Sequence, residues 1–122
     1  MFKGLKLKAP FFEIGLKQYI YGEALIDLAI HSDKVSAKYN VPIIFDPPLI
    51  HLAEIADKTK NLLVFAQHMD AIKPGRGMGA VLPESLKAVG GHGVILNHAE
   101  KPLTLSTIAA TIRRADQLDL AT

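Results

Sequence analysis

His98 and Glu100 stand just past the apolar run Val94-Ile95-Leu96, in a stretch from Val94 to Leu103 that leads into a helical pattern. Open α/β sheets and α/β barrels keep their reactive groups at such strand ends. An imidazole there can donate a proton and accept one back. A lone histidine at a strand end is more often structural than catalytic, so the rest of the chain must decide. Glu100 alone reads equally well as a helix-start acid, and Lys17 alone as a solvated loop lysine. A second pair, His68 and Asp70, follows the preceding apolar run. Together the two pairs could in principle offer imidazoles and a carboxylate to a metal and support metal-dependent hydrolysis. No His-x-His pair or further ligand accompanies them, so no metal and no cofactor are expected. Gly75-Arg76-Gly77-Met78-Gly79 lacks the Gly-Lys-Ser/Thr ending of a phosphate loop and does not directly follow a strand. It reads as a flexible or subunit-contacting loop.

The elements that must position these groups follow a repeating order. Phe11 to Gly15 reads as a strand, and a loop runs from Gly15 to Gly22. From about Glu23 to Tyr39 the residues Leu25, Leu28, Ala29, Val35 and Tyr39 keep helical spacing, with Glu23, Asp27, Asp33, Lys34 and Lys38 opposite and Asn40 as the stop. Val41 to Asp46 is a second strand, and Pro47-Pro48 leads to a short helix whose apolar positions are Leu49, Leu52, Ala53 and Ala56. Leu62 to Ala66 is a third strand. Pro83-Glu84 opens a helix that Gly90-Gly91 closes. Val94 to Leu96 is the fourth strand. Thr104 or Ser106 caps a last helix with Leu105, Ile108, Ala109, Ile112 and Ala115 inward, and Leu120-Ala121-Thr122 reads as the start of a fifth strand. His31 and His51 read as surface residues, while His92, before the fourth strand, falls outside a site at the strands' far ends.

Four strand-then-helix units imply a parallel sheet with right-handed crossovers. Their nearly continuous apolar strands fit a sheet covered on both faces. That pattern leaves a doubly wound sheet and a barrel both open. At 122 residues with 49% hydrophobic residues, the chain is expected to be one unit with no internal boundary. The net charge of +2 is spread without blocks, and no basic stripe with interleaved aromatics points to nucleic acid. Zero cysteines excludes a disulfide framework and fits a reducing compartment. The lysines of Met1 to Pro10 are followed by no apolar targeting segment, and no apolar run reaches the roughly eighteen residues of a membrane span. A soluble cytoplasmic protein is expected.

Taken in order, Gly15-Leu16-Lys17, Phe65-Ala66-Gln67-His68-Met69-Asp70, the Gly75 to Pro83 loop and Asn97-His98-Ala99-Glu100 resemble the first half of triosephosphate isomerase, in its shorter archaeal-type branch. The resemblance covers the chain from Phe11 onward. It implies an eight-unit (β/α) barrel, of which the chain supplies four units and the first residues of a fifth strand. It also implies aldose–ketose isomerisation of a small phosphorylated sugar through an enediolate, with a place in glycolysis and gluconeogenesis. His98 matches the family's electrophile, Lys17 its substrate-binding lysine, Glu100 the carboxylate after the histidine, and Asn97 a supporting residue. That the histidine is held neutral by a helix N-terminus is a known property of that family and is taken over from it. A lysine near the site attracts a phosphorylated substrate and stabilises a developing oxyanion.

Three departures stand out. Gly15 occupies the substrate-binding position where the family has asparagine. Met78 aligns with the threonine that reaches that asparagine from a neighbouring subunit, and Ala99 replaces serine. A four-carbon sugar phosphate, such as a tetrulose phosphate, is therefore an expected alternative to the triose. The resemblance assigns the catalytic glutamate, the closing lid and the glycine-rich phosphate loops to the second half, so these residues alone are expected to be inactive, as a fragment or a half-barrel that must pair. The implied partners are a small phosphorylated sugar and either further copies in a homo-oligomer or a C-terminal half. A half-barrel would expose an apolar inner face and two strand edges. A scaffold or interaction module that keeps the fold without the chemistry is the alternative of a different class.

Overall fold

The computed structural model describes residue 5 and residues 7–122. The reading of Met1 to Pro10 falls in part on residues outside that set. The chain forms β1 (Phe12–Gly15), α1 (Gly22–Tyr39), β2 (Ile43–Asp46), a 3-10 turn (Leu49–His51), α2 (Leu52–Lys58), β3 (Leu62–Ala66), α3 (Pro83–Ala88), β4 (Gly93–Val94) and α4 (Leu105–Gln117). All strand pairs are parallel, in the order β1-β2-β3-β4. Ala121 bridges to Gly93 in the same sense, where a fifth strand is expected. Strands laid side by side in chain order are the winding of a (β/α) barrel, whereas a doubly wound sheet reverses direction at its centre. The fold is α/β, and its topology is that of half a barrel.

Residues paired in register share a face. Ile14, Ile43, Phe45, Leu62 and Val64 therefore face the helices, where Leu25 and Ala29 of α1, Leu52 and Ile55 of α2, Leu86 of α3 and Ala115 of α4 complete one apolar cluster. Glu13, Gly15, Ile44, Asp46 and Leu63 lie on the opposite face. The expectation that this inner face stands exposed is corrected at two residues, since Ile44 and Phe65 are buried. Phe65 gains cover because Gly93 lets its ring lie flat. A Cβ at Gly93 would come within 2.6 Å of that ring.

Several positions depart from the periodic reading. Tyr39 is exposed, while Ser32 and Ser36 turn inward. Their hydroxyls are satisfied by donating to the carbonyls of Leu28 and Val41, so small polar residues serve as core here. Asp33, expected on the solvent side of α1, instead accepts the backbone N–H groups of Lys60, Asn61 and Leu62. His51 is no simple surface residue, because its Nε2 accepts the N–H of Gly22 and caps α1 from a distance. In the second helical stretch Leu52 and Ile55 are buried, and Leu49 and Ala53 are exposed. β4 begins one residue earlier than expected and ends at Val94, although Ile95 still donates to the Ala66 carbonyl. Thr104 caps α4 as expected, accepting from the Thr107 N–H. The inner face of α4 is Ile108, Thr111 and Ala115, and Leu105 is 85% exposed. The spacing 108, 111, 115 closes on the core with a threonine whose hydroxyl donates to the Thr107 carbonyl, an option invisible to an apolar pattern.

Candidate active site

The C-terminal ends of all four strands open into one cavity of about 720 Å3. β1 supplies Glu13 and Gly15, and Lys17 follows it. β2 supplies Asp46, the turn after β3 supplies Gln67, His68 and Asp70, and the chain after β4 supplies Ile95, His98, Glu100 and Lys101. Met78 and Gly79 close one side from the glycine-rich loop. That loop is pinned at its base, where the Asp70 N–H donates to the Val81 carbonyl and the Val81 N–H donates to the Asp70 carboxylate at 2.7 Å. Gly75, Gly77 and Gly79 all have positive φ, so the loop needs glycine at each of these bends. Gly75, Arg76 and Gly77 do not line the cavity.

His98 sits in a tight turn. Its Nδ1 accepts the backbone N–H of Glu100 at 3.0 Å, and its carbonyl accepts the Lys101 N–H. A ring nitrogen that accepts an N–H carries no proton, so the other nitrogen, Nε2, holds it, and the imidazole is a neutral N–H donor. Here a turn supplies that N–H. The expected helix N-terminus does not, because α4 starts only at Leu105. Asn97, in a left-handed conformation, accepts the Leu103 N–H on its side-chain oxygen and closes the loop behind the histidine.

Lys17 donates to Glu100 at 2.7 Å across the cavity rim. The hydrogen bond to Glu100 raises the lysine above its ordinary value, and the same bond from Lys17 lowers the Glu100 carboxyl. Lys17 has φ 49, an uncommon conformation for a non-glycine residue. Gln67 fixes it there. Its Nε2 donates to the carbonyls of both Lys17 and Asp46 at 2.9 Å, and its Oε1 accepts from Gln18. The expected residues Gly15, Lys17, His98, Glu100, Met78 and Gly79 thus share one cavity, while Asn97 supports it from behind.

Asp46, Gln67 and Glu13 were not singled out by their positions in the chain. Asp46 is the last residue of a strand buried along its whole length, and an acid ending an apolar run before Pro47-Pro48 is the signal that could have marked it. Burial, reinforced by the Glu13 charge, pushes its carboxyl up to about 7. His68 donates from Nε2 to Asp70 at 3.1 Å, whereas Glu100 is taken by Lys17, so the two pairs stay separate. Among the described residues, no group of three or more His, Cys, Asp or Glu is placed to hold a metal ion. His92 lies outside the cavity, where its Nδ1 accepts the Val64 N–H and burial lowers its basicity. No helix among the described residues is long and apolar enough to cross a membrane.

Parallel strands wound in chain order, with a histidine, a lysine and carboxyl groups gathered at their C-terminal ends, define half of an α/β barrel with its polar groups at the end where such barrels keep their sites. Comparison with known proteins narrows this. The family model described as triosephosphate isomerase matches residues 16–122, and the chain belongs to that family. It is 35% identical to the triosephosphate isomerase of Sulfurisphaera tokodaii over 116 residues, which covers 93% of this chain and 50% of that protein. The enzyme of Caldivirga maquilingensis is 35% identical over 118 residues, 95% of this chain and 52% of its own length. The one from Methanobacterium bryantii is 35% identical over 117 residues, 94% and 51% respectively. The chain spans about half the length of these relatives.

Proposed function

We propose that these residues form the electrophilic half of an aldose–ketose isomerase site for a small sugar phosphate. The observation that supports this best is the bond from the Glu100 N–H to His98 Nδ1, which leaves the proton on Nε2 of a histidine that lines the cavity. When a base removes the proton from the carbon next to a carbonyl, negative charge develops on the carbonyl oxygen. His98 Nε2–H donates to that oxygen and takes a proton back from the adjacent hydroxyl, which moves the negative charge to the other oxygen, and a proton returned by the base to the former carbonyl carbon then gives the other sugar. Lys17 places positive charge beside the same oxygens and draws in the phosphorylated substrate. Glu100 and Gln67 are positioning residues: one holds the lysine ammonium, the other the backbone beneath it. By family resemblance, the carboxylate base belongs to the part of the relatives that this chain does not span. The same resemblance makes the glycine-rich loop at Met78 a subunit contact.

The test is turnover of three-carbon and four-carbon aldose and ketose phosphates in D2O, using the protein as its gene encodes it. Proton abstraction with exchange predicts product carrying solvent deuterium on the carbon that was the carbonyl of the substrate, next to the one deprotonated. Isomerisation without any deuterium, or none with either substrate pair, would overturn the reading.

A further inference from the structure

Gly15 and Asp46 are register partners at the ends of β1 and β2. A Cβ at Gly15 would lie 3.5 Å from Asp46 Oδ2, 3.7 Å from Glu13 Oε1 and 3.9 Å from Asp46 Oδ1. These are ordinary contact distances, so the bare backbone of Gly15 leaves both carboxyl groups facing the space that a side chain would fill. Asp46 is only 6% exposed, its Oδ1 is buried without a hydrogen-bond partner among the described residues, and it lines the cavity. Buried polar groups are seldom left unpaired, and with Oδ1 enclosed it is Oδ2, the carboxyl oxygen nearest the space above Gly15, that a bound group would meet.

The chemistry of that group is restricted. Two neighbouring carboxyl groups repel the anionic oxygens of a phosphate, so the phosphate end of a ligand is not what meets them. A hydroxyl fits both forms of the acid, donating to a carboxylate or accepting from a carboxylic acid. In the isomerase reading, the two oxygens of the reacting carbons face His98 and Lys17, so the hydroxyl left for Asp46 is a further one. We propose that Asp46 is a specificity-determining residue that binds an additional hydroxyl of the sugar phosphate, in the space left open above Gly15. The proposal rests on the isomerase reading and narrows its substrate class to sugar phosphates carrying one hydroxyl more than a triose phosphate.

Binding of unreactive polyol phosphates tests this without turnover. Titration calorimetry on the gene-encoded protein compares glycerol 3-phosphate with erythritol 4-phosphate, which adds one hydroxyl-bearing carbon. The wild type should bind the four-carbon ligand about tenfold more tightly, the usual weight of a hydrogen bond to a buried acid. Asp46→Ala should bring the ratio to about one. Asp46→Asn, which can still donate and accept, should keep most of the preference. Gly15→Asn leaves Asp46 in place and fills the space above it, so it should also abolish the preference, and it decides the matter if Asp46→Ala does not fold. A wild-type ratio of one, failure of both ligands to bind, or a preference that survives both Asp46→Ala and Gly15→Asn overturns the proposal. Discrimination without deuterium exchange in turnover would overturn only the isomerase reading.

Discussion

Two aspartates, one at each end of the sheet, are treated in opposite ways. Asp33, at the end where β3 begins, accepts three backbone N–H groups on one oxygen and the Asn61 side chain on the other. Burial opposes its charge, but these bonds outweigh it and hold the carboxyl below its ordinary value. Asp46, at the end where β2 stops, has an oxygen with no partner among the described residues, and its carboxyl is pushed up to about 7. The difference separates an end whose polar groups serve the fold from an end whose polar groups are left open to a ligand. Substitutions at the opening should therefore change chemistry more than stability, and those at the other end should do the reverse.

The largest effect is expected at His98. His98→Gln keeps a hydrogen-bonding side chain but removes a group that can donate and accept in one cycle. The value of kcat/KM for isomerisation should fall about 100- to 10,000-fold, roughly 3–5 kcal/mol in the barrier. The melting temperature should stay unchanged. Retained activity would remove the histidine from the chemistry and break the contrast between the two ends.

Asp33 should show the opposite signature. Asp33→Ala strands the backbone donors of Lys60, Asn61 and Leu62, and urea denaturation should show a loss of about 2 kcal/mol. Since the folded pKa is lowered, the contribution is present above the ordinary value of 3.8 and disappears as pH falls through the folded value. The gap between wild type and variant should thus narrow only in acid. A gap that is absent at neutral pH would show that solvent satisfies these donors equally well.

For Asp46 the sign is reversed. An acid whose folded pKa is raised binds its proton more tightly in the folded state, so stability falls as pH rises from about 4 to about 7. Asp46→Asn cannot ionise. Relative to wild type it should gain about 1–2 kcal/mol at pH 8, a discounted figure because the group still reaches the cavity, and the gain should vanish near pH 4. Paired thermal melts at the two pH values check it. A variant less stable than wild type at pH 8 would mean that the carboxylate has a partner.

How much of this was readable beforehand depends on where each signal lies. The strand-helix alternation, the cap at Thr104 and the stop at Asn40 are local, and the structure follows them. The grouping of Gly15, Lys17, His98 and Glu100 in one cavity was legible only through the resemblance, because residues 83 positions apart, as Lys17 and Glu100 are, share no local pattern. Asp33, His51 and Gln67 were illegible for the same reason. Each bonds backbone groups far away in the chain, and its residue type alone reads as surface. Thr111 and Ser32 were missed because an apolar pattern discards hydroxyl residues that hide their own donor within a turn of helix.

Glu100 gives the smallest and most demanding test. Its bond to Lys17 is short, yet both side chains are largely in solvent, 43% and 60% exposed. Water and salt screen such a pair, so Glu100→Gln should leave the melting temperature unchanged at low and high ionic strength alike. The turn around His98 should also survive, because it is the backbone N–H of residue 100 that His98 accepts. What changes is the freedom of Lys17. Without a carboxylate to aim it, its ammonium wanders, and KM for the sugar phosphate should rise by more than kcat falls. If Glu100→Gln instead lowers stability while KM stays fixed, the Lys17–Glu100 pair is a strut between β1 and β4, and the open end of the sheet is held together by its own site residues.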